Sequence, residues 1–218
     1  METKDIINEF LNNKNEENAK GMKAYLKDNF EFLGVKTPLR KQLSKEFLKE
    51  KSKETFIDEA LVRELWANEY REMQYIAIDY LIKQKKKLQR EHIALIKDLI
   101  VTKSWWDSVD LIASHLAGEL GRKYPELIEE YFLPWSESEN MWLRRTAILY
   151  QLKYKENTNT DFLKQVIKVN LHQEEFFIRK AIGWSLREYS KSNQEWVREF
   201  IANNKLSKLS EKEASKYL

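Results

Sequence analysis

Four stretches of this chain repeat one pattern, and that repeat limits the fold more than any other feature. They are "MQYIAI" from Met73, "WDSVDL" from Trp106, "LRRTAI" from Leu143 and "FIRKAI" from Phe177. Each begins with a bulky apolar residue and ends with an aliphatic one. The fifth places hold Ala77, Asp110, Ala147 and Ala181, at spacings of 33, 37 and 34 residues. Intervals of this size belong to helix pairs stacked so that each buries its apolar face only against its neighbours. The expected fold is therefore all-α, a curved α-solenoid of antiparallel helix pairs.

The rest of the chain agrees. Apolar residues recur at helical spacing, as at Leu61, Leu65 and Trp66, or Ile93, Ile96, Leu99 and Ile100. With 5 Gly and 3 Pro, the punctuation that an all-β fold or a long linker needs is missing. Short breaks such as "GVKTP", "KQKKK", "RKYP" and "KENTNT" divide the sequence into about ten to twelve helices, and 1–218 reads as a single domain. "KQKKK" reads as a solvated helix end, with phosphate contact as its alternative.

Composition excludes several functions. There is no cysteine, so disulfides, thiolate catalysis and thiolate-bound metals are out. The histidines His92, His115 and His172 are isolated, without paired-ligand spacing, and no Gly-rich phosphate loop, nucleophile elbow or kinase signature occurs. We therefore expect no metal and no nucleotide cofactor. The start "METKDIINEFLNNKN" lacks a signal peptide, and no run approaches about 18 apolar residues. These features lead us to expect an intracellular, cytoplasmic protein with no membrane partner. Against 35 acids stand 38 Lys and Arg, an excess of +3 that by itself says little about polyanions.

The register carries the sharpest reading. Where three repeats place Ala, one places Asp110; three residues on, the others carry Tyr80, Tyr150 and Trp184, and this one Ala113. On a helix, Trp106, Asp110, Ala113 and Ala117 fall in one stripe beside an apolar stripe of Trp105, Val109, Ile112 and Leu116. The apolar stripe would anchor the helix. The other would line a concave surface, with its small residues leaving space. The alternative for Asp110 is an exposed or lysine-paired helix carboxylate. Ser104 reads as an N-cap and Asp107 as its capping partner. Trp105, Trp142 and Phe176 share a register place suited to core packing, whereas Trp106 and Trp184 suit either extra core or stacking on a sugar or base.

Arg144, Arg145, Arg179, Lys180 and Arg187 lie in or just after the repeats. Arg145 and Arg179 occupy the same place, so they would form a ladder tracking phosphates, or else one solvated face balanced by acids. In "KTPLR", Thr37 as N-cap, Pro38 and Arg40 offer a helix N-terminus to an anion. Lys103, beside the tryptophans, is a further candidate for DNA contact. An aspartate between indoles, with arginines holding phosphates, would stabilise the sugar cation left when a glycosidic bond breaks. One carboxylate at about 4 Å offers roughly 4 kcal/mol at an effective dielectric of about 20, enough for a bond already weakened by alkylation.

The segments "TKSWWDSVD", "WLRRTAILYQLKYK", "FFIRKAIGWSLREY" and "DNFEFLGVKTPLR" resemble the AlkD-type DNA alkylation-repair glycosylases, which are built from HEAT-like helical repeats. The resemblance implies a monofunctional enzyme that removes cationic alkylated purines, such as 3-methyladenine and 7-methylguanine, from duplex DNA and leaves an abasic site. The base would not enter a closed pocket, unlike in many glycosylases. The resemblance makes Asp110 the catalytic aspartate, Trp106 and Trp184 the sugar-contacting tryptophans and Arg145 the site arginine. A chain acting as a monomer on double-stranded DNA is expected. The alternatives are a non-catalytic repeat protein that binds distorted or branched DNA, and a protein-interaction scaffold.

Overall fold

A computed structural model describes residues 2–218 and is helical throughout, without a β-sheet among those residues. The chain packs as two compact units, Met1–Leu88 and Gln89–Leu218.

The first unit holds α1 (Thr3–Asn12), α2 (Glu16–Tyr25), α3 (Thr37–Lys51), α4 (Glu59–Ala67) and α5 (Arg71–Gln84). Ile6, Phe10, Phe47, Val62, Leu65, Met73 and Ile76 form its core, all fully buried. The loop before α3 is tied down by a buried acid. Glu72 accepts hydrogen bonds from the backbone N–H groups of Leu33 (3.1 Å), Gly34 (2.9 Å) and Val35 (3.1 Å). Burial pushes its carboxyl up, and the three amides pull it down. Gly34 has φ +84°, and a Cβ there would run into the carbonyl of Asn15, so only glycine fits this turn. Arg71, also fully buried, lies over the Phe30 ring at 3.8 Å. The lysine run after α5 forms a short 3-10 turn, Lys85–Lys87, whose last Nζ bonds the carbonyls of Ser52 (3.2 Å) and Glu54.

The second unit runs through α6 (His92–Val101), α7 (Trp106–Leu111), α8 (Gly118–Lys123), α9 (Leu133–Ser136), α10 (Met141–Leu149), α11 (Thr160–Val169), α12 (Phe176–Ser190), α13 (Gln194–Ala202) and α14 (Lys208–Ala214). Between α7 and α8 the chain winds as a π-helix over Ile112–Ala117, so 106–123 is one rod with a wide turn at its middle. A second π segment, Ile128–Phe132, leads into α9. Asn140, Asn159 and Asn193 cap α10, α11 and α13, each accepting from backbone N–H groups of the first turn. Helix α10 packs against the π segment, against α6 and against α12; α12 in turn carries α14.

Close approach explains the small residues of the repeat. Ala77, Ala147 and Ala181 are buried, as are Tyr80 and Tyr150 three residues past the first two. A Cβ on Gly118 would meet the Tyr150 carbonyl at 2.5 Å, and the Tyr154 hydroxyl donates to the Gly118 carbonyl at 2.6 Å. The rod that carries Asp110 is thereby pressed onto the helix that carries Arg145.

Candidate active site

Asp110 sits near the end of α7, one turn after Trp106 and on the same face of that helix. Ser114 Oγ, in the wide turn behind it, donates to its backbone carbonyl at 2.7 Å. Its carboxylate is gripped from α10: Arg145 Nε donates to Oδ1 at 2.7 Å and Arg145 Nη2 to Oδ2 at 2.8 Å. This is the bidentate fork that guanidinium and carboxylate planes favour. The Arg145 side chain is 1% exposed and Asp110 19%, so the pair is sealed on the arginine side and open on the aspartate side. Arg145 Nη1 donates to the carbonyl of Phe177 at the start of α12, which ties a third helix to the pair.

Trp184, half-buried on α12, completes the surroundings. Its ring lies 5.4 Å from the Arg145 guanidinium, 5.5 Å from Lys180 Nζ and 5.7 Å from the Arg187 guanidinium. Lys180 and Arg187 are bound by one carboxylate, that of Glu213 on α14, at 2.8 and 3.0 Å, and Lys216 joins at 2.7 Å. Hydrogen bonds from Lys180 and Lys216 hold the Glu213 carboxyl at about 2. Beneath the site Trp105, Trp142 and Phe177 form an aromatic cluster with centroids 5.1 to 5.7 Å apart.

Thus Asp110, Arg145, Trp184, Lys180 and Arg187 form one contact network, with Trp106 on the face of α7 that carries Asp110. Other expectations need correction. Arg145 turns inward to Asp110 and forms no ladder with Arg179, because a buried charge requires a partner and the carboxylate supplies it. Arg179, about a third exposed, donates from Nε to the Gln173 carbonyl at 3.1 Å. Arg144 is also buried: its Nη1 bonds the Ser138 and Glu139 carbonyls and its Nη2 the Glu175 carboxylate, which ties the entry of α10 to that of α12. Ala113 and Ala117 are fully buried, so they allow close packing and leave no space for a ligand. Phe176 is 58% exposed; its neighbour Phe177 takes the aromatic place.

Two caps shift as well. Trp105, in extended conformation, is the N-cap of α7 in place of Ser104, whose Oγ donates back to Ile100 O at 2.6 Å; Asp107 stands in the first turn. In the first unit Lys36 is the N-cap of α3 and Thr37, exposed, its first residue; Arg40 pairs with Asp79 and lies 5.0 Å from the Tyr75 ring. Lys103 is half-buried and left-handed at φ 47°, in the turn that delivers Trp105 and Trp106.

Glu213, Ser114 and the Phe177 carbonyl escaped the sequence reading. Only Gly183 hinted at the first: a Cβ there would lie 2.5 Å from Glu213 Cβ, so this glycine, next to Trp184, marks where α14 lands. No three His, Asp or Glu side chains among the described residues converge as metal ligands, and no helix among them is long and apolar enough to cross a membrane.

A family model described as DNA alkylation repair enzyme matches residues 6–218. Among solved structures, one described as a predicted DNA alkylation repair enzyme from Enterococcus faecalis is 40% identical, covering 94% of this chain and 96% of that one, with a TM-score of 0.87. AlkD2 from Streptococcus mutans is 20% identical over 82% of this chain and 97% of that one, with a TM-score of 0.59. The structure of smu.31 from Streptococcus mutans UA159 matches to the same extent at 21% identity, also with a TM-score of 0.59. At these lower identities the likeness concerns the helical-repeat fold. No curated protein matches the chain significantly.

Proposed function

The chain belongs to the DNA alkylation repair enzyme family, and from that premise we propose that it is a monofunctional glycosylase acting on cationic alkylated purines in duplex DNA. The observation that carries this reading is the one-sided Asp110–Arg145 pair, with its anion outward and two half-buried tryptophans on the helices that hold it. Breaking the glycosidic bond of an N3-alkylated adenine or N7-alkylated guanine releases a neutral base and leaves positive charge on the deoxyribose. No proton need be given to such a leaving group. What the protein must supply is negative potential beside the sugar and a water held for attack, and Asp110 suits both roles. Arg145 fixes the plane of the carboxylate so that its outer lone pairs face the sugar. Trp106 and Trp184 hold the deoxyribose by contact with their rings. Lys180 and Arg187 keep N–H donors free for phosphates beside the lesion.

The family match, over residues 6–218, runs through both compact units, which supports one functional domain over 1–218. The small buried residues at 113 and 117 speak for an open surface contact and against a closed base pocket.

The test is release of 7-methylguanine and 3-methyladenine from a methylated duplex by the wild type and by Asp110→Asn. Removing a carboxylate about 4 Å from the cation forfeits roughly 4 kcal/mol, so the single-turnover rate falls by about a thousandfold while duplex affinity is retained. Equal rates for the two proteins would rule the carboxylate out of the reaction.

A further inference from the structure

The groups around Trp184 pose an electrostatic problem. Three cations lie within 6 Å of its ring, at a site that, on the function proposed above, must favour a positive charge. Arg145 is neutralised by Asp110. Lys180 and Arg187 sit four residues before and three after Trp184, on the same face of α12, and the one acid of α12, Glu188, is paired with Lys191 at 2.6 Å. Their counter-charge comes from a separate helix. Glu213 is 5% exposed, and α14 lies against α12 where Gly183 leaves room, with the Ser210 carbonyl 2.8 Å from the place a Cβ would take. Ser210 Oγ also donates to the Arg179 carbonyl at 2.9 Å, so α14 is fixed at a second point. The cations themselves are 22% and 25% exposed, open enough to meet a phosphate without leaving Glu213.

We infer that Glu213 is a positioning residue for this site, fixing Lys180 and Arg187 against Trp184 and offsetting their charge so that the indole faces the sugar without an adverse field. The inference rests on the glycosylase reading and extends it to the C-terminal helix. It makes an unusual demand on one substitution. Glu213→Gln adds net positive charge, so plain electrostatics strengthens attraction to DNA. The same change leaves Trp184 between uncompensated cations and opposes the transition state. Affinity and rate should therefore move in opposite directions, which simple loss of packing does not produce.

The experiment uses the full chain and a duplex carrying one 7-methylguanine, with an abasic-analogue duplex for binding. Glu213→Gln should lower the single-turnover rate by about tenfold while binding the analogue as tightly as the wild type or more so. Glu213→Asp, which keeps the charge, should recover most of the rate. In a Trp184→Ala background the additional effect of Glu213→Gln should shrink below about twofold, because the two residues act through one ring. A rate within about twofold of wild type, a multiplicative effect in the double variant, or a joint fall of rate, affinity and melting temperature would each overturn the inference. If the wild type releases no base, the proposed function fails by itself. The same double-variant comparison read in analogue affinity then decides the inference: coupling above about twofold supports it, and independence rejects it.

Discussion

The negative potential that Asp110 offers depends on what lies behind it. On the proposed reading, a guanidinium on its inner side, about 8 Å from a sugar cation about 4 Å from the carboxylate, offsets about half of the attraction, so the ion pair as a unit supplies about 2 kcal/mol, about thirtyfold in rate, whereas removing the carboxylate alone still forfeits the full ~4 kcal/mol. The arginine nevertheless has a structural role. Without it the half-buried carboxylate loses two donors and the Phe177 carbonyl one. We expect Arg145→Ala to lower unfolding free energy by about 3 kcal/mol, measured by urea denaturation. Arg145→Lys keeps the charge but loses the two-pronged grip, and it should slow base release more than it lowers stability. Asp110 stands out in the sequence because it replaces a buried alanine of the repeat. Its partner does not: from the repeat alone Arg145 and Arg179 look equivalent, and only the acid opposite one of them separates a buried ion pair from a surface arginine.

Among the helices, what could be read in advance was the period, and what could not was the winding. Ala77, Ala147 and Ala181 mark close helix approach and are indeed buried. The π turn over Ile112–Ala117 has no comparable signature, since its residues fit an α-helix equally well; Gly118, directly after it, is pressed against the Tyr150 carbonyl and accepts from the Tyr154 hydroxyl. The last two members of the stripe drawn from Trp106 to Ala117 lie within this turn, and both are buried. Helix α14 depends on contact in the same way. A methyl group on Gly183 would collide with Glu213 and Ser210, one of them through backbone. Gly183→Ala should therefore cost about 1–3 kcal/mol, seen as a lower midpoint in urea, and should disturb Lys180 and Arg187 with it.

For the molecule as a whole, acid stability carries the mark of Glu213. Its carboxyl is held down from 4.5 to about 2 by Lys180 and Lys216. A depressed carboxyl contributes stability that is fully present above its unfolded value and is lost as pH falls through the folded one. Wild-type unfolding free energy should thus decline between about pH 4.5 and 2, and Glu213→Gln should lack that part of the decline in urea titrations at pH 2.5 and 5.5. The net charge of +3 is a poor guide to such behaviour, because the charges that matter are paired across helices. By itself the sequence determined the helical repeat, from the spacing of its apolar and small residues, and the odd carboxylate within it, because both are local patterns. Only the tertiary structure decided which charges are free and which are spent on one another. A buried ion finds its partner on whichever helix lies opposite, 35 residues away for Asp110 and Arg145 and 33 for Lys180 and Glu213, and local periodicity does not encode that distance.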